Sequence, residues 1–472
     1  MTRQRSLLGN ATVLVASQII VKALNITVSI ALVRLLGATE LGRYAYIQAF
    51  CFPFGAIADF GLATLATREI SRDHGVQART VAILQSLLLR LAAVSSAAMI
   101  GIALVLDHDA LTRAGIVIVA ASNLVSALTT PSLVLLNARE QMSRLSLHRV
   151  AASVTGSAAL VVALLASGSV LALLAASALT NVAMLVLARV LAGTTRRTAA
   201  PGTGGRASML RAALPFGALM IVFALYYRVD MVMLQWLRGP RDVGLYAAAY
   251  RFLDTVVVLA ASLGGPFFPR LSSLAMADPA RARRLLEDTW RPLLALALPL
   301  SVGAFVLADD LVIALFGRSF AEAASILRIL IWSALPLFWV TIANHAVIAA
   351  DGVRPLAAVY ALGLGLNVAG NLALVPVLGP AGAAAASVAC EWVNLVLVVR
   401  LVRRRFGLSL AMAGLWRYAA AIGAMALALW LLKDRGLPLE IVAGGLVYAG
   451  ALLALGYLRT ADMSSLRRLL AQ

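Results

Sequence analysis

Five basic side chains lie inside long apolar stretches of this chain: Lys22, Arg90, Arg228, Arg251 and Arg328. A charge at the centre of a bilayer costs roughly 2.5–3.5 kcal/mol on insertion scales, so such residues face a bundle interior or a water-filled cavity, where an acid, a carbonyl or an anionic ligand meets them. Lys22, one of only two lysines, stands midway along the first apolar stretch, and Asn25 follows three residues on along nearly the same helix face. Arg251 lies in AAAYRFLD, with Asp254 at i+3. Arg228 and Asp230 are two residues apart, roughly 200° around a helix, so they cannot pair with each other and each needs a partner elsewhere. Asp59 in IADFGL precedes Thr67-Arg68-Glu69 at the end of the second stretch. Asn344-His345, Asn367, Asn371, Glu391 and Asn394 add polar groups later, with Asn367 and Asn371 at i and i+4 on one face. The four histidines form no HExxH, there is no phosphate-binding glycine loop, and Cys51 and Cys390 have no metal spacing, so neither a metal nor a cofactor is expected.

The elements that carry these residues follow from composition. The chain has 472 residues, is 62% hydrophobic and only 13% charged, with a mean hydropathy of +0.92. Soluble domains average about 25% charged residues. The apolar residues come in runs long enough to cross the roughly 30 Å hydrocarbon core. An all-α polytopic membrane protein is predicted, with about fourteen transmembrane helices near 10–35, 44–66, 81–106, 114–136, 150–167, 169–191, 212–237, 245–268, 291–308, 323–349, 356–378, 381–402, 411–432 and 437–458. The first run is too long for a signal-peptide core, and no cleavable signal is expected. Residues 277–291 read as an amphipathic helix on the membrane surface, and 309–320 as the longest outside loop.

The net charge of +19 does not indicate a nucleic-acid partner, because the charges are spread over short loops. It does orient the chain. With the N-terminus inside, the cytoplasmic segments and span ends hold 27 of the 40 Lys and Arg and the outside holds 8. Both termini are then cytoplasmic. A pattern repeats 202 residues apart: Gly37-Ala38-Thr39-Glu40-Leu41-Gly42-Arg43-Tyr44-Ala45 and Gly239-Pro240-Arg241-Asp242-Val243-Gly244-Leu245-Tyr246-Ala247. Both read G-x-x-x-x-G-x-Y-A with an acid three residues after the first glycine. The expected layout is a six-helix lobe over 1–192, a cytoplasmic linker at 193–209 (GTTRRTAAPGTGGRAS and its neighbour), a second six-helix lobe over 210–402, and two extra helices with a tail over 403–472. Two lobes of equal span number suit alternating access.

Several motifs in order carry a resemblance. The first half holds Asn10, Ser17-Gln18, Arg34, Leu36-Gly37, Gly42, Tyr44, Ile57 to Leu62 and Thr67 to Ile70. The second holds Tyr227 to Asp230 (YRVD), Val243 to Arg251 (VGLYAAAYR), Pro266 to Ser272 (PFFPRLS) and Ile313 to Phe320. Over spans one to twelve the chain resembles the polysaccharide (Wzx-type) flippases of the MOP superfamily. That resemblance implies movement of an undecaprenyl-pyrophosphate-linked oligosaccharide from the cytoplasmic to the outer leaflet of a bacterial inner membrane, with membrane lipids around it and a glycan polymerase as a partner. It also implies two six-helix lobes around a central cavity.

A pyrophosphate head group needs a polar, positively biased path, because leaving water costs it more than a lipid tail offsets. Arginine suits phosphate because its planar fork donates two parallel hydrogen bonds. Related flippases place cavity bases on the first, second and eighth helices. Lys22 and Arg251 match the first and eighth; span two departs, offering Gln48 and Asp59 but no central base. Lys22, Asn25, Arg90, Arg228, Arg251, Asn367 and Asn371 are the candidate substrate-binding residues, and Asp59, Arg68, Asp230 and Asp254 the candidate gating or coupling residues. Each has a structural alternative: snorkelling for Lys22, a pair with Asp254 for Arg251, a fixed interhelical bridge for Asp230, a helix-end ion pair for Asp59, and interhelical hydrogen bonds for the asparagines. Arg328, like Arg90, has no obvious partner, and Tyr226 and Tyr227 offer faces to sugar rings. A drug–cation antiporter or a peptidoglycan-precursor flippase of the same superfamily is the alternative. A membrane glycan polymerase is disfavoured, because it would carry a large outside loop with catalytic residues. No enzymatic activity is expected.

Overall fold

The computed structural model describes residues 2–106, 108–193, 203–264, 267–409, 414–433 and 435–456, and every regular element among them is helical. The order is α1 (Thr2–Asp59), α2 (Leu62–Arg72), α3 (Gln77–Val105), α4 (Ala110–Ala138), α5 (Met142–Ser167), α6 (Val170–Ala192), α7 (Thr203–Arg238), α8 (Pro240–Gly264), α9 (Phe267–Ala277), α10 (Pro279–Val306), α11 (Ala308–Phe316), α12 (Ala323–Leu330), α13 (Ala334–Asp351), α14 (Arg354–Leu378), α15 (Pro380–Phe406), α16 (Leu415–Leu431) and α17 (Leu437–Ala454). Only a helix satisfies every backbone group within one segment in lipid, which is why apolar runs of this length fold this way. Among the described residues, twelve stretches are long and apolar enough to cross a membrane, and the chain is a multi-pass membrane protein. One of them, 24–72, holds the end of the first predicted span and the whole of the second, while the thirteenth predicted span corresponds to the shorter 17-residue helix α16.

Four boundaries differ from the sequence expectation. The second span ends at Asp59, because Phe60 (φ 49°) and Gly61 (φ 72°) turn the chain; 62–72 is a separate amphipathic helix burying Leu62, Ala66 and Ile70. The expected surface helix at 277–291 and the ninth span are one helix, α10, started by Asp278, whose side chain accepts the Arg281 N–H at 2.9 Å. The segment 309–320, expected as an outside loop, falls largely on helix α11, with Asp309 and Asp310 in its first turn and Val312 and Phe316 buried. The tenth span is divided by a 3₁₀ turn at Ile331–Ser333. Of the expected linker, 194–202 lie outside the described residues, and 203–209 form the first turns of α7. Gly265, the Pro266 that opens the PFFPRLS motif, residues 410–413 and the tail at 457–472 also lie outside them.

The repeated motif makes the same corner twice. Gly37 interrupts α1 with φ 73°, and Gly239 separates α7 from α8 with φ 90°. The acid three residues on is paired each time: Glu40 with Arg43 at 2.9 Å, Asp242 with Arg238 at 3.1 Å. Asp109, on the loop before α4, also forms an ion pair with Arg43 at 3.5 Å. Burial works to raise the Asp109 carboxyl, but hydrogen bonds from Thr112 and the charge of Arg43 hold it below the usual range. Nothing lies within 4 Å of a Cβ built on Gly37 or Gly239, so a side chain at either corner meets only the backbone penalty of positive φ. Gly37→Ala and Gly239→Ala each lower unfolding stability by about 1 kcal/mol, read as a shift in the detergent thermal midpoint.

The chain divides into two compact units, 1–232 and 233–472. In the first, α3 packs on α4, α4 and α5 on α6, and α1 on α3 and α5. Its core includes Leu62, Ile70, Leu84, Leu88 and Ala92. In the second, α14 and α15 form a hairpin, α13 packs on α15, and α8 lies against α12 and α13. The α16–α17 hairpin docks on α10 through Tyr418, Met425, Leu429 and Tyr448. Proline explains one of its anchors. Pro299 has no N–H, so the Ala295 carbonyl four residues earlier loses its helical donor. The Tyr448 hydroxyl donates to that carbonyl at 2.9 Å, and Tyr418 donates to the Arg291 carbonyl at 3.2 Å. Tyr448→Phe is expected to destabilise the second unit by about 1 kcal/mol in detergent. The loss shrinks in a Pro299→Ala background, where the helix supplies its own donor; equal losses in both backgrounds would contradict this account.

Candidate functional site

In the first unit, Lys22 is half-buried on the first arm of α1. Asn25, one turn on, is held by α5: its Oδ1 accepts from the hydroxyls of Ser153 at 3.0 Å and Ser157 at 3.3 Å. Those serines are four residues apart on one face, a stripe the sequence displays but does not connect to Asn25. On α7, the Arg228 guanidinium sits over the ring of Tyr227 at 5.0 Å and that of Phe52, from the second arm of α1, at 5.7 Å. The Tyr227 ring is itself stacked on Phe223 at 5.8 Å and 12°. Aromatic faces attract a cation, by about 2 kcal/mol when desolvated, so this stack holds the charge between two helices. Asp230 is 3% exposed, and its Oδ1 accepts the Met231 N–H at 2.7 Å. Tyr226 is buried in packing.

Asp59 closes the α1–α2 corner, where its Oδ2 accepts the Gly61 N–H at 3.3 Å. Gly217 of α7 has no side chain because the Phe60 ring would lie 2.7 Å from a Cβ there. Arg68 on α2 and Arg90 on α3 are exposed, and neither has an ion pair among the described residues. The structure thus brings Arg228 against Phe52 and Asn25 against α5. Phe52 had no sequence signal, since one more phenylalanine in an apolar span is unremarked.

In the second unit, Arg251 is half-buried on α8. Its Nε is buried with no hydrogen-bond partner, and it forms no ion pair among the described residues, so the i+3 pair with Asp254 is not made. Asp254 is half-buried one turn on. Earlier on α8, Tyr246 and Tyr250 have ring centroids 5.7 Å apart, and the Tyr246 hydroxyl is 3.3 Å from that of Ser387 on α15. Asn367 and Asn371 are 3% and 0% exposed and bonded to each other. The Asn371 Nδ2 donates to the Asn367 Oδ1 at 2.6 Å and to its carbonyl at 2.8 Å. The Asn371 Oδ1 and both amide atoms of the fully buried Asn394 have no partner among the described residues. Arg328 has a partner after all: it pairs with Asp309 at the start of α11, nineteen residues away and invisible to helical spacing. Asn344 donates to the Tyr360 hydroxyl at 2.7 Å. Cys51 and Cys390 are both buried.

These features define an all-helical, multi-pass membrane protein whose transmembrane polar groups are guanidinium, ammonium and amide groups with a few carboxylates. Residues 7–275, more than half of the chain, match the family model described as polysaccharide biosynthesis protein, and residues 215–373 match the MatE model. The chain belongs to the polysaccharide biosynthesis protein family, within the MOP superfamily. The probable flippase AglR of Haloferax volcanii is 27% identical over 241 residues, 49% of this chain and 50% of that relative, so the match spans about half the relative's length. Among solved structures, the lipid II flippase MurJ in its inward closed conformation has a TM-score of 0.77 at 12% identity, over 96% of this chain and 99% of that one. A multidrug resistance MATE family transporter in its inward-facing conformation has a TM-score of 0.64 at 15% identity, over 81% of this chain and 94% of that one. At these identities the likeness is one of fold.

Proposed function

We propose that this protein is a flippase that carries an undecaprenyl-pyrophosphate-linked oligosaccharide from the cytoplasmic to the outer leaflet of the bacterial inner membrane, by alternating access, to supply surface-polysaccharide synthesis such as O-antigen or exopolysaccharide. Both termini face the cytoplasm, as the distribution of Arg favours. The observation that carries the reading is Arg251. A guanidinium Nε buried in a membrane helix with no acceptor among the described residues is costly unless a ligand completes it, and a phosphate oxygen is an acceptor that suits a guanidinium. Lys22, Asn25, Arg90 and Arg228, in the first unit, are the candidate contacts on the polar, cationic path that transport needs, and Asp230 and Asp254 are the candidate coupling carboxylates. Asn367 and Asn371 serve this path through the Asn371 Oδ1. Family membership and the flippase named among the relatives support the same reading. The MurJ-like fold favours a second reading, a peptidoglycan-precursor flippase, whose substrate shares the pyrophosphate lipid.

Deletion in the native host tests this. The lipid-linked oligosaccharide should accumulate on the inner leaflet, protected from a glycosidase added to spheroplasts. Accumulated lipid that is fully open to the glycosidase would place the protein after translocation and overturn the reading.

A further inference from the structure

The first unit carries a cavity of about 500 Å³ where α2 ends and where α3 and α7 begin. Ligand pockets typically occupy roughly 300–1,000 Å³. Its polar wall is Arg72, Arg79, Thr80 and Ser208, with Glu69 as the one acid, and Ile83 and Met209 supply apolar surface. Two helix N-termini converge on it. Arg79 and Thr80 lie in the first turn of α3, whose N-cap, Val76, makes no side-chain capping bond. Gly205, also in the wall, lies in the first turn of α7, and a Cβ there would meet the Ile83 Cδ1 at 2.9 Å, so the bare α7 backbone approaches α3 closely. Helix N-termini carry a partial positive charge and unsatisfied N–H groups, which is the electrostatics of an anion site.

Arg139 and Arg144 nearby are engaged, whereas, among the described residues, the exposed Arg72 and Arg79 are not. Arg139 donates to the Gln77 Oε1 at 3.1 Å and to the Ala192 carbonyl at 3.2 Å, and Arg144 donates to the Leu191 carbonyl at 3.0 Å. Both are used to close the end of α6. Arg72 and Arg79 make no ion pair or side-chain hydrogen bond among the described residues, even with Glu69 in the same wall. Arg206, next to Gly205, likewise has a buried Nε without a partner among them.

We propose that this cavity is a binding site for a phosphate-bearing anion, separate from the intramembrane residues assigned to transport. Its guanidinium groups and helix ends bind the phosphate, and the hydroxyls of Thr80 and Ser208 complete its hydrogen bonds. The apolar surface of Ile83 and Met209 beside them suits the glycerol and upper acyl carbons of an anionic phospholipid, the source that a cavity at the end of membrane helices meets first. A soluble phosphate has the same chemistry without that apolar part.

The test uses the full chain in uncharged detergent, titrated with dihexanoyl phosphatidic acid, dihexanoyl phosphatidylcholine or inorganic phosphate and read by native mass spectrometry. Phosphatidic acid should bind at least tenfold more tightly to wild type than to R72Q/R79Q. The substitution R284Q, at an exposed residue of the second unit, should leave binding unchanged. If phosphatidic acid binds and inorganic phosphate fails to displace it, the ligand is a lipid; if inorganic phosphate displaces it at equal concentration, the site takes soluble phosphate. Both outcomes support the site. Undiminished binding by a normally melting R72Q/R79Q, or equal binding of phosphatidylcholine, overturns it. Should R72Q/R79Q fail to fold, phenylglyoxal modification of wild type decides. Phosphatidic acid should slow modification of Arg72 and Arg79 at least threefold relative to Arg284, and equal rates overturn the proposal.

Discussion

Arg251→Ala should lower the translocation rate of lipid-linked oligosaccharide by about tenfold to a hundredfold and leave the thermal midpoint unchanged or slightly raised. The rate effect follows from one charge-assisted hydrogen bond to phosphate, worth about 1.5–3 kcal/mol. The stability effect follows from what Arg251 lacks. Its Nε has no acceptor and it makes no ion pair among the described residues, so truncation leaves no partner stranded and removes a half-buried charge. Removing one member of an established buried pair would instead cost roughly 3–5 kcal/mol. Arg251→Lys keeps the charge but loses the planar fork, and its rate falls between the two. The measurements are the initial flipping rate in proteoliposomes at matched protein and the melting midpoint in detergent. A midpoint that collapses while the rate per folded molecule is unchanged would make Arg251 a structural residue.

The largest stability effect is expected at Gly382. Helices α14 and α15 meet at Gly379, which has φ 59°, and Gly382 lies in the first turn of α15. A Cβ built there would overlap the Leu374 carbonyl oxygen, which is backbone and cannot swing aside as a side chain can. Farther along, a Cβ at Gly370 would lie 3.0 Å from that of Ala386. Lipid gives no hydrophobic drive to helix pairing, so the hairpin depends on this close approach of small residues in GPAGAAAAS. Gly382→Val forces the helices apart, at a cost of about 3 kcal/mol. Gly365→Ala, on the same hairpin with nothing within 4 Å of its Cβ, is the control and should be neutral or slightly stabilising. Denaturant titration in detergent separates the two. A Gly382→Val protein as stable as wild type would mean that α14 and α15 do not pack this way.

What could be read from the sequence, and what could not, divides along the distance over which a signal acts. Apolar run length located the spans, because lipid leaves a helix as the only way to satisfy the backbone. The repeated glycines marked Gly37 and Gly239 as corners, since only glycine takes positive φ there without penalty. The break at Phe60-Gly61 was hidden because Phe-Gly-Leu continues an apolar run, and the turn depends on the Phe60 ring seating against Gly217, more than 150 residues away. Helix α11 was hidden by its two leading aspartates, which read as loop but favour a helix N-terminus. Partners across helices were out of reach for the same reason. Helical spacing assigns Asn25, Arg228 and Arg328 to faces, but not to Ser153, Phe52 or Asp309. For Arg251 the nearest acid in sequence was the wrong guide, because Asp254 is close along the helix and yet makes no pair with it.

Reconstitution tests the central claim most directly. Purified protein in proteoliposomes is supplied with a fluorescent undecaprenyl-pyrophosphate oligosaccharide, and a membrane-impermeant quencher reports the fraction in each leaflet over time. The account predicts protein-dependent exchange of the lipid between leaflets, slowed about tenfold or more in Arg251→Ala and Lys22→Ala proteins that still melt normally. Liposomes in which the lipid stays in its starting leaflet, while the same protein extrudes a cationic dye, would contradict it.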